Sequence, residues 1–309
     1  MEQQVIVIVG PTCSGKTILG INLAEELDTE IISADSRQIY KHLTIGTAKP
    51  TREELKKVKH HFVDVLDPKE EYNVGLFERD SIHVIDDLIH KNKIPIVVGG
   101  SGLYIKAIVN GIVDIDSDEE LRDELKMKRE KFGNEFIYDE LTKLDPHGAE
   151  TMLPQNWKRV VRAIEVFKLT GKSILEVHEE QSRKSNYNFL QFGLNWKRET
   201  LYKNIENRVD DMIDTGLVNE VETIMANGYS KELNALNTVG YKEIISYLED
   251  EISLERAIEL IKRNTRRFAK RQMTWFRKDD RIKWLDVNSV EDVLSTKKVI
   301  LSSLMQYKN

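Results

Sequence analysis

Residues 5–17 read V-I-V-I-V-G-P-T-C-S-G-K-T, and no other stretch restricts the possible folds as much. The unbroken β-branched run Val5–Val9 is apolar on both faces of a strand, the pattern of a strand buried inside a parallel sheet. It leads directly into Gly10, Pro11, Thr12, Cys13, Ser14, Gly15, Lys16 and Thr17, the spacing of a phosphate-binding loop. Ile18, Leu19, Ile21, Leu23, Ala24 and Leu27 then predict a helix that starts at the loop. Glycines let backbone N–H groups close around phosphate oxygens, and the helix N-terminus adds partial positive charge. Lys16 supplies a point charge, and the Thr17 hydroxyl can ligate a Mg²⁺ that bridges the phosphates. At average composition the bare spacing arises by chance in about one chain of this length in a hundred, and the flanking strand and helix make chance rarer still. The spacing alone does not separate a nucleotide from a simple diphosphate.

The next stretches build outward from that loop. Ile31, Ile32 and Ala34 predict a second strand with Asp35 just past its carboxyl end, where ligands bind in open α/β sheets. Asp35 is therefore the leading candidate for a general base, and an Asp that caps the following turn is the equal alternative. Residues 46–50 form a loop near the same edge, and His61–Leu66 predict a third strand. His60 and His61 read as a structural pair, because no further ligand follows at helical spacing. An amphipathic helix is expected over 75–91, then a buried strand at 94–98 running into the turn Gly99-Gly100-Ser101-Gly102 beside the cleft. Strands alternating with helices indicate an α/β fold: a P-loop NTPase-like three-layer core with a parallel sheet.

Beyond residue 114 the character changes. Asp114–Glu120 is an acidic helix start, and the patterns from 118 to 181 are helical, with turns at Gly133, Asp145-Pro146 and Gly171. The reading is an inserted helical domain at 116–187 within a core of 1–115 and 188–309. It carries Lys158, Arg159 and Arg162 on one helix face. A returning strand is expected at 188–196, followed by helices near 199–214, 217–227 and 239–249.

Composition matters here because the average hides an asymmetry. The net charge is −6, yet six of the ten residues from 262 to 271 are Lys or Arg, on a helix predicted over 253–278. No acid occurs between Glu259 and Asp279, whereas a merely solvated helix face mixes acids in at i+4. That imbalance favours a polyanion partner. Ile258, Ile261 and Phe268 are expected to face inward, while Trp275 and Phe276 could stack on bases or join the core. One cysteine, Cys13, excludes an intramolecular disulfide framework and a thiolate metal cluster. No apolar run approaches membrane-spanning length, so a cytoplasmic protein without a membrane partner is expected. A GTPase would need a guanine-specifying Asn-Lys-x-Asp, which is absent, and no Asp-Glu-x-x helicase motif ends a strand. An ATP-dependent small-molecule kinase of the P-loop class explains the loop but leaves the basic helix and the insertion superfluous.

Taken together, Gly10–Thr17, Ile32–Tyr40, Gly46–Pro50, Gly99–Tyr104, Arg159–Glu165, Val239–Lys242 and Thr265–Arg277 resemble, in order and over nearly the whole chain, the bacterial tRNA dimethylallyltransferases, also called isopentenyltransferases. The resemblance implies transfer of a dimethylallyl group from dimethylallyl diphosphate to N6 of the adenosine 3′ of the anticodon (tRNA position 37), in tRNAs reading codons that begin with U. It implies that Asp35, Ser36, Arg37 and Gln38 contact the target base, and that Ser101 and Arg122 lie near the tRNA. It further implies that Arg208 meets the diphosphate as a catalytic group with Asp35 and Thr17. Lys158, Arg159 and Arg162, then Gly240, Tyr241 and Lys242, and finally Arg266, Lys270, Arg271, Trp275 and Arg277 correspond to tRNA-contacting segments. Mg²⁺ is the expected cofactor, and a monomer is expected.

Overall fold

The computed structural model describes residues 3–112, 115, 118–180 and 186–306. The chain divides into two compact units, one of residues 1–109 with 185–309 and the other of residues 110–184. The boundary expected at 116, and Asp114, Asp116 and Ser117 of the acidic helix start, lie outside the described residues.

In the first unit, β1 (Gln3–Val9) leads through the phosphate loop into α1 (Lys16–Glu26), then β2 (Ile31–Ala34), α2 (Arg52–Lys57), β3 (His60–His61), α3 (Val74–His90), β4 (Ile96–Gly99) and α4 (Gly102–Asn110). The second unit contains α5 (Glu119–Phe132), α6 (Asn134–Leu144), α7 (Pro146–Glu150), α8 (Trp157–Thr170) and α9 (Ile174–Glu180). The chain then returns to the first unit with β5 (Tyr187–Trp196), α10 (Arg198–Asp214), α11 (Leu217–Ala226), α12 (Tyr241–Leu248), α13 (Leu254–Phe276), β6 (Lys283–Val287) and α14 (Val290–Gln306).

Among the described residues one six-stranded sheet runs β3-β2-β4-β1-β5-β6. Every pairing is parallel, so all the carboxyl ends lie along one edge. Ile6 pairs with Ile96 on one side and Leu190 on the other, which puts β1 in the middle of the sheet. That position explains its unbroken apolar run. Ile6 and Ile8 pack beneath α1 and α14, while Val5, Val7 and Val9 pack on the opposite face with residues of α3 and α4. A third apolar cluster joins α10, α11, α12 and α13 around Leu217, Leu236, Tyr241 and Ile261.

Two strands differ from expectation. The third is only two residues long, because Phe62 and Asp64 adopt left-handed φ values of 62° and 60° that carry the chain off the sheet edge. Residues 64–66 hydrogen-bond instead to the backbone of Gln38 and Ile39. The last strand, β6, has no counterpart in the sequence reading. Its five residues are mostly polar or half-covered, and only pairing with β5 makes them a strand.

The second unit has its own core, built from Leu125, Ile137, Leu141, Val160 and Ile164. Asp118 caps α5 through the Leu121 N–H, Gly133 separates α5 from α6, and a left-handed Gly171 ends α8. Among the described residues no helix is long and apolar enough to cross a membrane.

Candidate active site

The carboxyl edge of the sheet holds a cavity of about 520 Å³. The phosphate loop after β1, Asp35 after β2, Gly99 and Gly100 at the end of β4, and Trp196 at the end of β5 all line it. Helix α10 adds Arg208, and α13 adds Phe268 and Gln272. Parallel strands whose ends coincide leave this crevice, and the sequence places its polar groups there.

The loop is shaped to receive an anion. Gly15 takes a left-handed φ of 84° at the head of α1, and no side chain caps that helix. Its first N–H groups therefore have no partner within the helix and carry its positive end. Lys16 Nζ donates to the Pro11 carbonyl oxygen at 2.6 Å. Burial lowers its pKa to about 8, against the opposing field of Asp35, and the nearby Arg208 lowers it further. Among the described residues Arg208 hydrogen-bonds the Cys13 sulfur alone, at 3.6 Å from Nη1. Ser14 is 1% exposed, and its hydroxyl has no hydrogen-bond partner among the described residues. Thr17 lines the same cavity.

Asp35 both caps its turn and lines the cavity. Its Oδ1 accepts the N–H of Arg37 at 2.8 Å and of Gln38 at 3.3 Å, so it caps the turn, and the residue also faces the cavity. Ser36 is half-buried in that turn. Arg37 donates to the Asn234 carbonyl oxygen at 2.6 Å. Gln38 donates to the carbonyls of Thr47 and Ala48, and its own carbonyl accepts from the Ser33 hydroxyl at 3.3 Å. The Gly46–Pro50 loop is thereby fixed over the crevice. Glu220 completes this by accepting the N–H groups of Thr44, Ile45 and Gly46 and the Tyr241 hydroxyl.

Other expected site residues have different environments. Tyr241 is 0% exposed and supports the 44–48 loop from within, so its side chain has no open face. Gly240 is buried beside it, and Lys242 is exposed. Ser101 starts α4 half-buried, with its N–H on the Ala34 carbonyl at 3.1 Å. Trp275 is 46% exposed and covers Gly102, where an added Cβ would lie 2.2 Å from the ring. Phe276 is core instead. Phe268, expected inward, is 40% exposed and lines the cavity.

The basic helix is less uniform than its sequence. Lys262 pairs with Asp210 and Arg266 with Glu206, both acids coming from α10 across the packing interface. The i+4 test could not detect these partners. Arg263, Arg267, Lys270, Arg271 and Arg277 are exposed, and none makes an ion pair among the described residues.

Within the second unit, Arg122 and Arg162 converge on Glu165, which is 0% exposed. Arg122 reaches it at 2.8 Å and Arg162 at 2.6 Å. The Asp118 N–H also donates to Glu165. Lys158 and Arg159 are exposed on α8.

Sequence reasoning missed two side chains that hold the phosphate loop. Trp196 Nε1 donates to the Ser14 carbonyl oxygen at 3.0 Å. Gln272 accepts from the Thr12 N–H at 2.9 Å and donates to the Gly100 carbonyl at 2.9 Å. Gln272 sits among the cations of α13, where a lone amide gives no signal. Trp196 reads simply as the end of an apolar strand.

The family model described as IPP transferase matches residues 38–279. The tRNA dimethylallyltransferase of Acetivibrio thermocellus is 46% identical over 307 residues, covering 98% of this chain and 96% of its own length. That of Alkaliphilus oremlandii is 43% identical, covering 100% and 99%. The crystal structure of a tRNA isopentenylpyrophosphate transferase from Bacillus halodurans is 37% identical, with a TM-score of 0.73 over 98% of this chain and 97% of its own. A eukaryotic dimethylallyltransferase captured acting on tRNA is 31% identical, with a TM-score of 0.81 over 96% of this chain and 78% of its own.

Proposed function

The chain belongs to the IPP transferase family, enzymes that place a prenyl group on tRNA, and from that premise we propose the following reaction. It moves a dimethylallyl group from dimethylallyl diphosphate to N6 of the adenosine 3′ of the anticodon, position 37, in tRNAs reading codons that begin with U, and releases diphosphate. The observation that carries this reading is a single cavity in which the positive groups Lys16 and Arg208 share walls with the carboxylate of Asp35.

Lys16, Arg208 and the N–H groups of the α1 N-terminus receive the diphosphate, and the Ser14 hydroxyl, without a partner among the described residues, is a further donor beside them. Preorganised charge of this kind stabilises the leaving group as the C–O bond breaks and its electron pair passes to the diphosphate. An adenine N6 amine is a weak nucleophile, because its lone pair is delocalised into the ring. Asp35 takes the N6 proton as the new C–N bond forms. Target bases reach such a site by leaving their stack. Mg²⁺ suits the donor set, since it favours oxygen ligands and keeps several waters. The described residues contain no cluster of three acids, His or Cys that would cage a metal more tightly. Thr17 Oγ together with diphosphate oxygens would hold the ion, which when bound neutralises charge on the leaving group. The exposed cations of α13 meet the tRNA backbone. We place the enzyme in the cytoplasm as a monomer.

The test is to mix the protein with Mg²⁺, radiolabelled dimethylallyl diphosphate and an anticodon stem–loop containing an A-A-A run. Label on the adenosine 3′ of the anticodon is the expected result. Unlabelled RNA, with ATP turned over on a small metabolite, would replace this reading by the kinase.

A further inference from the structure

We propose that Gln272 is a positioning residue that couples RNA on α13 to the shape of the phosphate loop, so that RNA and diphosphate tighten each other's binding. The proposal rests on the reading of the cavity as a diphosphate site beside an RNA-binding helix.

The geometry is specific. Gln272 projects from the buried side of α13 and spends both ends of its amide on the site. Its oxygen holds the Thr12 N–H inside the phosphate loop, and its nitrogen holds the Gly100 carbonyl in the turn after β4. An added Cβ at Gly100 would lie 2.3 Å from Gln272 Nε2, so a side chain there would push the Gln272 amide aside. The two segments are more than eighty residues apart in sequence; Val9 and Gly99 pair where their strands end, and beyond that pairing the Gln272 side chain bridges the two turns.

The same helix presents Arg267, Lys270 and Arg271 to solvent without acidic partners among the described residues, all within five positions of Gln272. Trp275, three residues on, seats the helix against Gly102 in the turn that Gln272 holds. Phosphates drawn to those cations therefore restrain the stretch of helix that holds Thr12 and Gly100. Ordering paid for by one ligand need not be paid again by the second, and the coupling is reciprocal. Trp196 braces the loop from β5, a strand without cations of this kind, and so carries no such link.

The test uses inorganic pyrophosphate with Mg²⁺ as probe, titrated by calorimetry with and without the anticodon stem–loop. It compares wild type with Gln272→Met, which keeps the volume and loses both hydrogen bonds. In wild type the stem–loop should tighten pyrophosphate by about fivefold or more. In Gln272→Met, pyrophosphate binding should weaken about tenfold, the enhancement by RNA should vanish, and RNA affinity measured alone should stay unchanged. If that variant does not fold, Gln272→Asn, whose amide is one methylene too short to reach either partner, serves in its place. Pyrophosphate binding in wild type without any effect of RNA overturns the proposal, as does an RNA effect that survives in the variant. If wild type binds no pyrophosphate, the diphosphate reading itself falls and the proposal falls with it.

Discussion

Two groups of basic residues show opposite uses of the same charge. In the second unit Arg122 and Arg162 are committed to Glu165, an acid with 0% exposure, and the cluster is closed. At the phosphate loop, among the described residues, Lys16 has only a carbonyl oxygen and Arg208 only a sulfur, and burial lowers the Lys16 pKa to about 8. Removing one partner from a buried ion pair strands a charge and costs stability, whereas a half-buried cation with no acid on it can receive a ligand. The family resemblance implies an anionic ligand for both groups, and their partners in the structure differ.

The largest effect should follow from removing the open charge. Lys16→Ala is expected to lower prenyl transfer about 10³-fold while leaving the unfolding temperature no lower than that of wild type. A large drop in unfolding temperature would mean that Lys16 is structural and would erase the contrast. Glu165→Ala should do the reverse, destabilising the chain by about 3 kcal/mol because two arginines lose their shared acid. Denaturant unfolding measures that loss, and an unchanged midpoint would show the closed cluster to be dispensable.

Asp35→Ala is expected to reduce turnover about 10²-fold with tRNA affinity nearly unchanged. Wild-type turnover in single-turnover assays would remove Asp35 as the base and leave only its capping role.

A smaller effect comes from pH. The free enzyme's Lys16 has its pKa lowered to about 8, and a bound anion favours the charged form and raises it. Pyrophosphate affinity should therefore be maximal below pH 8 and fall above it, by at most about tenfold per pH unit. Lys16→Arg, which keeps its proton, should remove the Lys16 part of this slope. An equal slope in both proteins would assign the titration to another group.

The smallest effect distinguishes open from closed cations within α13. Lys270→Ala should reduce the salt dependence of RNA binding by about one unit of slope. Arg266→Ala should change it less, because Arg266 must first leave Glu206. Equal changes would mean that the ion pair does not persist when RNA binds.

Much of the core was legible because local pattern and tertiary role coincide there. Val5–Val9 is apolar on both faces because β1 is central, and the loop spacing needs no distant residue to be recognised. The long helices at 74–90 and 254–276 form where the sequence predicts them, although Phe268 of the second turns outward. Strand β6 was not legible, since its residues become a strand only by pairing with β5. The third strand was overextended because left-handed turns at Phe62 and Asp64 leave no mark in hydropathy.

The sequence by itself determined the phosphate loop, the position of Asp35 after the second strand, the separate helical stretch and the concentration of cations in one helix. These depend on spacings of a few residues, which local sterics and periodicity translate directly into geometry. The tertiary structure decided most of which charges are spent and which remain open, for Glu206, Asp210 and Glu165 reach Arg266, Lys262 and Arg122 by packing, while Arg162 meets Glu165 three positions along its own helix. It also decided that Gln272 and Trp196 hold the loop, and that Tyr241 lies inside the protein. A hydrogen bond between residues 260 positions apart is set by how helices and strands pack, and no local pattern encodes it.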